Sequence, residues 1–368
     1  MAQENYDPNQ RENEYEYDDD DDEPDSKRHR VDTTTTTTTT TLANYDEDGI
    51  RTSSLSSPTL KLSGHTGSVY GLAYSPDGSL MVSCSFDKTC LLWDTTDNYK
   101  NLDVLSGHSN AVLDVGFLQP SIVVTASADT TGAVYDVTTG QRLHQKLPHD
   151  GQIVNALSTS SFDPHCWTTA CDDGQVRLWD VRTKCRRQGP VHTFAADDDT
   201  TTPMTAVAYS AQHQTIYTGG IDNHIHVFDI RSSNNRIMTM KGHDDTITSL
   251  SLHPQHELEL LSHSMDATIR SWNVRPSHEH KTRHLKTFEG AKVNSEKGLL
   301  RCSWKADGSM ITGGSSDKMV HIWDEFTSQT LYSLPGHIGC VNSVIFHPTE
   351  NIIASASSDK TIYVGELG

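Results

Sequence analysis

The sequence has no apolar run near the roughly 18 residues needed for a membrane-spanning helix. Its first residues, MAQENYDPNQ, are polar, which is the wrong composition for a secretory signal. Cysteine is sparse and unpaired in pattern: Cys84, Cys90, Cys166, Cys171, Cys185, Cys302 and Cys340 make seven, an odd number with no C-x-x-C spacing, and a reducing compartment is the simple reading. No G-x-x-x-x-G-K-[ST], G-x-G-x-x-G or G-x-S-x-G occurs, so the common phosphate loops and the nucleophile elbow are missing. Enzyme chemistry is not expected.

Positive charge is also scarce, at 29 Lys and Arg against 49 Asp and Glu. Residues 1–50 hold ten Asp, six Glu, three Arg and one Lys, a balance of −12 out of the total −20. With the run Asp18 to Asp22 and nine threonines from Thr33 to Thr41, this stretch is too polar to bury a core, and a disordered acidic tail is expected over residues 1–57. Within it, Lys27-Arg28-His29-Arg30 has the composition of a short nuclear-import signal or of a local charge balance.

The rest of the chain repeats. Leu62 to Asp94 carries Gly64-His65, a strand-like alternation from Val69 to Tyr74, the turn Ser75-Pro76-Asp77-Gly78, a second strand through Ser83, then Asp87 and Trp93-Asp94. An aspartate followed six positions later by an aromatic recurs at Asp129, Asp173, Asp222, Asp266 and Asp317, with a degenerate copy at Asp359. The intervals are 42, 44, 49, 44, 51 and 42 residues, the length of a four-stranded propeller blade with its loops, and the stretch resembles a WD repeat. The expected fold is all-β, a seven-bladed WD-repeat β-propeller over residues 58–368. The chain stops three residues past the last aromatic slot, so residues 58–63 are expected to supply the outer strand of blade seven and close the ring.

Trp93 has an indole N–H that needs an acceptor inside the sheet, which Ser83 and His65 supply, while Asp87 accepts from the other ring nitrogen of His65. By residue type this structural relay is complete in three blades: His65, Ser83, Asp87, Trp93; His149, Thr169, Asp173, Trp179; and His243, Ser262, Asp266, Trp272. Blade two has Tyr135 in the aromatic slot, blades four and six lack the histidine, and blade seven lacks the aromatic. The role expected of these residues is structural, because a solvent-excluded relay has no substrate to act on. Of the twenty histidines, His224 and His226 share a strand face without a completing carboxylate or thiolate, and His278, His280 and His284 sit in a loop beside Lys281 and Arg283; neither group is expected to bind metal, and no cofactor is expected.

Two surfaces stand out. Residues preceding the turn aspartates project from one end of the ring, and Phe86, Asp172, Ile221 and Met265 there are expected to bind a protein partner. From the opposite end, the connections between third and fourth strands of blades three to five carry Arg182, Lys184, Arg186, Arg187, Arg231, Arg236, Arg275, Lys281 and Arg283, a basic face suited to an acidic protein segment or an RNA backbone, or to the acidic tail itself.

The stretches GGIDNHIHVFDIR (219–231), NVRP (273–276), NSEKGLLRCSW (294–304), LPGH (334–337) and SASSDKTIYVGEL (355–367) resemble the WD-repeat proteins of the U5 small nuclear ribonucleoprotein, over residues 57–368. That resemblance implies a non-catalytic nuclear subunit of the spliceosome that holds protein partners, the large pre-mRNA-processing scaffold protein among them, with any RNA contact secondary and with no membrane or small-molecule substrate. A different reading is a substrate receptor of a cullin ubiquitin ligase, whose mark is an Arg two residues after the strand-ending Asp, as in Asp180-Val181-Arg182 and Asp229-Ile230-Arg231.

Overall fold

A computed structural model of the chain describes residues 35–37, 53–183, 189–195, 202–232, 236–276, 283–294 and 298–368, and all its regular elements are strands. They form seven antiparallel sheets arranged as a seven-bladed propeller. Blade one runs Val69–Tyr74, Leu80–Ser85, Cys90–Asp94 and Lys100–Leu105 from channel to rim, and blades two to six repeat that order. Blade seven has three strands from the C-terminal end, Val341–Phe346, Ile352–Ser357 and Thr361–Glu366, and takes Thr59–Ser63 as its fourth. Thr59 faces Gly365 and Ser63 faces Thr361 in that pairing. Leu60 and Leu62 of the closing strand are buried between blades seven and one, which at about 1.5–3 kcal/mol each makes a large local contribution to ring closure.

Residues 53–57, read above as the end of the tail, pack on the ring. Leu55 is buried in the layer between blades seven and one, and the N–H and hydroxyl of Ser54 both donate to the Glu350 carboxylate. Thr35–Thr37 adds a fifth strand outside Thr59–Ser63, so the threonine run contributes backbone to a sheet edge, a natural use for β-branched residues. The acidic run and the basic cluster of the tail lie outside the described residues.

The apolar core is a series of layers between adjacent blades. Val82, Cys84 and Leu92 of blade one meet Phe117, Val123 and Tyr135 of blade two, and Leu261 and Ile269 of blade five meet Trp304 and Trp323 of blade six. The third strands of blades one and four are buried along their middles because both faces are covered by neighbouring blades, and the polar His224, Asp229 and Asp94 fall at their half-buried ends.

Candidate interaction surfaces and the buried relay

The relay forms in blade one as its residue types demand. His65 Nε2 lies 2.8 Å from Ser83 Oγ, its Nδ1 lies 2.9 Å from Asp87 Oδ2, and Trp93 Nε1 donates to Ser83 Oγ at 2.9 Å. Blade five repeats it with His243, Ser262, Asp266 and Trp272 at 2.6–2.7 Å. Blades two and seven keep the His–Asp pair, His108–Asp129 and His337–Asp359, without an indole. Burial alone would raise the Asp87, Asp129, Asp266 and Asp359 carboxyls, yet the paired histidine, the hydroxyl of the threonine two residues on and a backbone N–H outweigh it. They hold all four well below the usual carboxylate range.

Blade three departs from the expected relay. His149 Nε2 and Trp179 Nε1 do meet Thr169 Oγ1, but His149 Nδ1 points to the Leu147 carbonyl at 2.9 Å and not to Asp173. Arg177, four residues after Asp173, holds that carboxylate at 2.5 Å and reaches Asp150 at 2.8 Å as well. Burial, helped by the Arg177 charge, pushes the His149 imidazole down to about 4. The physical reason is competition: a permanently charged guanidinium, with several donors in one plane, is the stronger claimant on a half-buried carboxylate.

The same position explains the two blades without a Gly-His histidine. His226, four residues after Asp222, places Nε2 2.6 Å from Asp222 Oδ2, and His321, four after Asp317, does so at 2.9 Å. The histidine pair once weighed as a metal site is therefore spent on the turn, with His224 Nδ1 also 3.6 Å from Asp222. Among the described residues no group of three His, Cys, Asp or Glu is placed to hold a metal ion; His278 and His280 lie outside them.

On the ring end that carries the second-to-third-strand turns, Phe86 and Ile221 are 58% and 52% exposed. Met265 is half-buried, and Asp172 is tied down, with Oδ1 accepting from Asn155 Nδ2 at 2.6 Å, so these two are poor contributors to a free surface. The sequence reading missed Ile338, 78% exposed in the connection into blade seven at this same end, because it considered only the residues preceding turn aspartates. Ile338 and Phe86 lie on neighbouring blades, joined near their turns by the Ser68 hydroxyl donating to the Ser358 carbonyl.

Among the described residues of the basic face, two arginines are neutralised by their own turns. Arg182 and Arg231 fold back onto Asp180 and Asp229, two residues earlier, at 2.6 and 2.7 Å. Arg236 sits beside His226 Nδ1, Arg283 donates to the Asn273 and Arg275 carbonyls, and Arg275 is exposed. Lys184, Arg186, Arg187 and Lys281 lie outside the described residues. Between the first-to-second-strand turns of blades three to five is a cavity of about 180 Å³ lined by Ser158, Ser160, Tyr209, Ser251, His253 and Glu257. The buried Glu257 carboxylate of blade five accepts from Ser160 of blade three and from Ser210 and the Gln212 N–H of blade four, at 2.7–3.1 Å, stapling three blades together.

Chain-wide similarity decides the family. The profile described as "Nucleolar protein 10-like, N-terminal domain" matches residues 118–323, and that of "WD domain, G-beta repeat" matches residues 56–94 and 328–364. The chain is 40% identical over 318 residues to the U5 small nuclear ribonucleoprotein 40 kDa protein of Dictyostelium discoideum and 43% identical over 320 residues to that of Homo sapiens, each alignment covering 86% of both chains. It is 38% identical to pre-mRNA-splicing factor cwf17 of Schizosaccharomyces pombe, over 86% of this chain and 90% of that one. This chain belongs to the U5 small nuclear ribonucleoprotein 40 kDa protein family.

In this member of the U5 40 kDa family, the two stretches least like a generic WD repeat have structural consequences. At the ending YVGEL, the Tyr363 ring stands edge-on to His337 at 4.7 Å, where other blades place an indole beside the relay histidine, and Gly365 faces the closing strand. Ahead of the blade-six inner strand, Lys292 is held at both its N–H and its carbonyl, by Ser315 and Ser316, and Leu300 and Arg301 lead into Cys302–Trp304. The inner strands show a further repeat that the sequence reading missed. In six blades a β-bulge at the second residue of the inner strand re-aims that side chain. Asn155, Thr205, Thr248 and Asn342 use the slot to donate to the first carbonyl of the next blade, those of Met204, Ile247, Leu300 and Val69.

Proposed function

We propose that this chain is a non-catalytic scaffold subunit of the U5 small nuclear ribonucleoprotein, acting in the nucleus to hold protein partners during pre-mRNA splicing, the large pre-mRNA-processing scaffold protein among them. The observation that carries this reading is similarity at 38–43% identity over 86% of the chain to proteins named for that particle and for splicing. The chemistry of the ring agrees with it. Its Asp–His pairs are buried inside blades, where they set turn geometry and meet no substrate. The exposed apolar residues Phe86, Ile221 and Ile338 on one end are the contact surface this reading favours, with protein contacts ahead of RNA because Arg182 and Arg231 of the opposite end are already paired with Asp180 and Asp229.

Affinity capture with tagged full-length chain from nuclear extract tests it. U5 small nuclear RNA and the large scaffold protein are the expected co-purifying species, and Phe86→Ser, Ile221→Ser and Ile338→Ser together are expected to abolish their recovery without changing the melting temperature. Recovery of a cullin adaptor in their place supports the ligase-receptor reading instead. Undiminished capture by a natively folded triple variant overturns the assignment of this surface.

A further inference from the structure

Arg301 occupies in blade six the slot that Asn155, Thr205, Thr248 and Asn342 occupy in theirs, and it does something different with it. Its guanidinium crosses the central channel to blade two. Nη1 lies 2.7 Å from Asp114 Oδ1, and Nη2 donates to the Leu113 carbonyl at 2.7 Å. Asp114 is buried and already oriented by two backbone donors, the N–H groups of Val115 and Leu157, both at 2.8 Å. The carboxylate and the neighbouring carbonyl are therefore set for a planar cation whether or not Arg301 is there. Blade one leaves the room. A Cβ at Gly71 would stand 3.6 Å from the Asp114 carboxylate and 3.8 Å from Arg301 Nε, and a longer side chain there would fill the guanidinium position. The fit of Arg301 itself is incomplete, since its Nε–H is buried with no acceptor among the described residues.

We propose that this end of the central channel is a guanidinium-binding site, filled in the free protein by Arg301 and open to an arginine side chain of a protein partner that takes its place. Two acceptors side by side, one anionic and one neutral, match the fork of a guanidinium; an ammonium ion reaches them as a compact point charge and gives up a tighter hydration shell to enter. Exchange is feasible on energetic grounds, because a buried ion pair is close to neutral in net stability and the incoming group replaces the outgoing one bond for bond, while being able to satisfy the N–H that Arg301 leaves bare. Access is from the end of the ring where the inner strands begin, the same end that exposes Phe86 and Ile338.

The test uses the full chain as wild type, Arg301→Ala and Arg301→Ala with Asp114→Asn. Arg301→Ala is expected to melt below wild type, and ethylguanidinium at tens of millimolar is expected to recover part of that loss where ethylammonium at the same concentration does not. The double variant is expected to show no such difference between the two ions. By calorimetric titration, N-acetyl-arginine amide is expected to bind Arg301→Ala, and wild type about tenfold or more weaker, since the resident side chain competes for the site. Should Arg301→Ala fail to fold alone, refolding in ethylguanidinium against refolding in ethylammonium reads the same selectivity. Equal effects of the two ions, equal affinity of wild type and Arg301→Ala for the arginine probe, or binding that survives Asp114→Asn would each overturn the proposal, as would a wild type that binds no probe at all.

Discussion

Arg177 and Asp173, four residues apart in blade three, form the ion pair that elsewhere in the ring joins a Gly-His histidine to the turn aspartate. Its setting differs sharply from that of Arg182 and Asp180 in the same blade, where the guanidinium is mostly in solvent. Arg177→Ala leaves a half-buried carboxylate without its cation and is expected to cost about 2–4 kcal/mol, whereas Arg182→Ala, whose guanidinium stands in solvent, is expected to be near neutral. Urea midpoints of the two variants measure the difference; equal midpoints would contradict it.

Relay histidines divide in the same way. His65→Ala and His243→Ala each remove the partner of a buried hydroxyl and of a turn carboxylate, and each is expected to lower stability by about 1–3 kcal/mol. His149→Ala, whose Nδ1 faces a backbone carbonyl and not Asp173, is expected to leave the Arg177–Asp173 pair intact. A double-mutant cycle between His149→Ala and Asp173→Asn is therefore expected to show little coupling, while the corresponding cycle for His65 and Asp87 shows at least about 0.5 kcal/mol.

Stability against pH has two acid limbs. His149 and His263 are held near 4, chiefly by burial, so they are neutral in the folded ring while the unfolded chain protonates near 6.5. Their contribution is fully present above about pH 6.5 and is lost as pH falls from there through about 4. The turn carboxylates Asp87, Asp129, Asp266 and Asp359 are also depressed, so their contribution persists above the ordinary carboxylate value of about 4 and is lost only as pH falls further. His263→Gln is expected to flatten the upper limb of melting temperature against pH and to leave the lower limb in place.

The residue after every turn aspartate has a positive φ: Lys88, Thr130, Gly174, Asn223, Ala267, Lys318 and Lys360. Only blade three places glycine there, so Ala267→Gly and Lys360→Gly are expected to stabilise the protein by about 0.5–1 kcal/mol, by relieving left-handed strain that exceeds the entropy glycine adds to the unfolded chain. Thermal or urea denaturation that shows either variant less stable than wild type would refute this.

Ring closure rests on Thr59–Ser63. Removing residues 1–50 is expected to shift the melting temperature by no more than a few degrees, and removing residues 1–63 is expected to unfold or oligomerise the chain, because it exposes the Thr361–Glu366 edge and empties the Leu60 and Leu62 positions. Circular dichroism melts and size-exclusion profiles of the two truncations distinguish these outcomes.

Much of the ring was legible because its marks are local. The spacing from turn aspartate to aromatic reports two strands and one turn, which neighbouring residues determine, and Asp87 with His65 could be paired from residue type alone. The basic residue four positions after the aspartate, present in four of the seven blades as Arg177, His226, Arg270 and His321, was overlooked. Even when seen, it does not announce the outcome: Arg177 takes the carboxylate from His149, whereas Arg270 stays 3.7 Å from Asp266 and leaves that aspartate to His243. The choice depends on angles and burial within the folded blade.

The amino-acid sequence by itself determined the seven blades, the relay positions and the strand that closes the ring, since periodicity, turn chemistry and a missing outer strand are properties of short segments. Tertiary structure alone decided which donor each carboxylate keeps, that Asp172 is tied to Asn155 and Met265 is half-buried while Ile338 stands out on the surface, and that Arg301 meets Asp114 across the channel. The last arises only when ring closure brings blades two and six together, the others only when a blade has folded and been covered by its neighbours, and the free energy that selects among them is desolvation, which no linear spacing encodes.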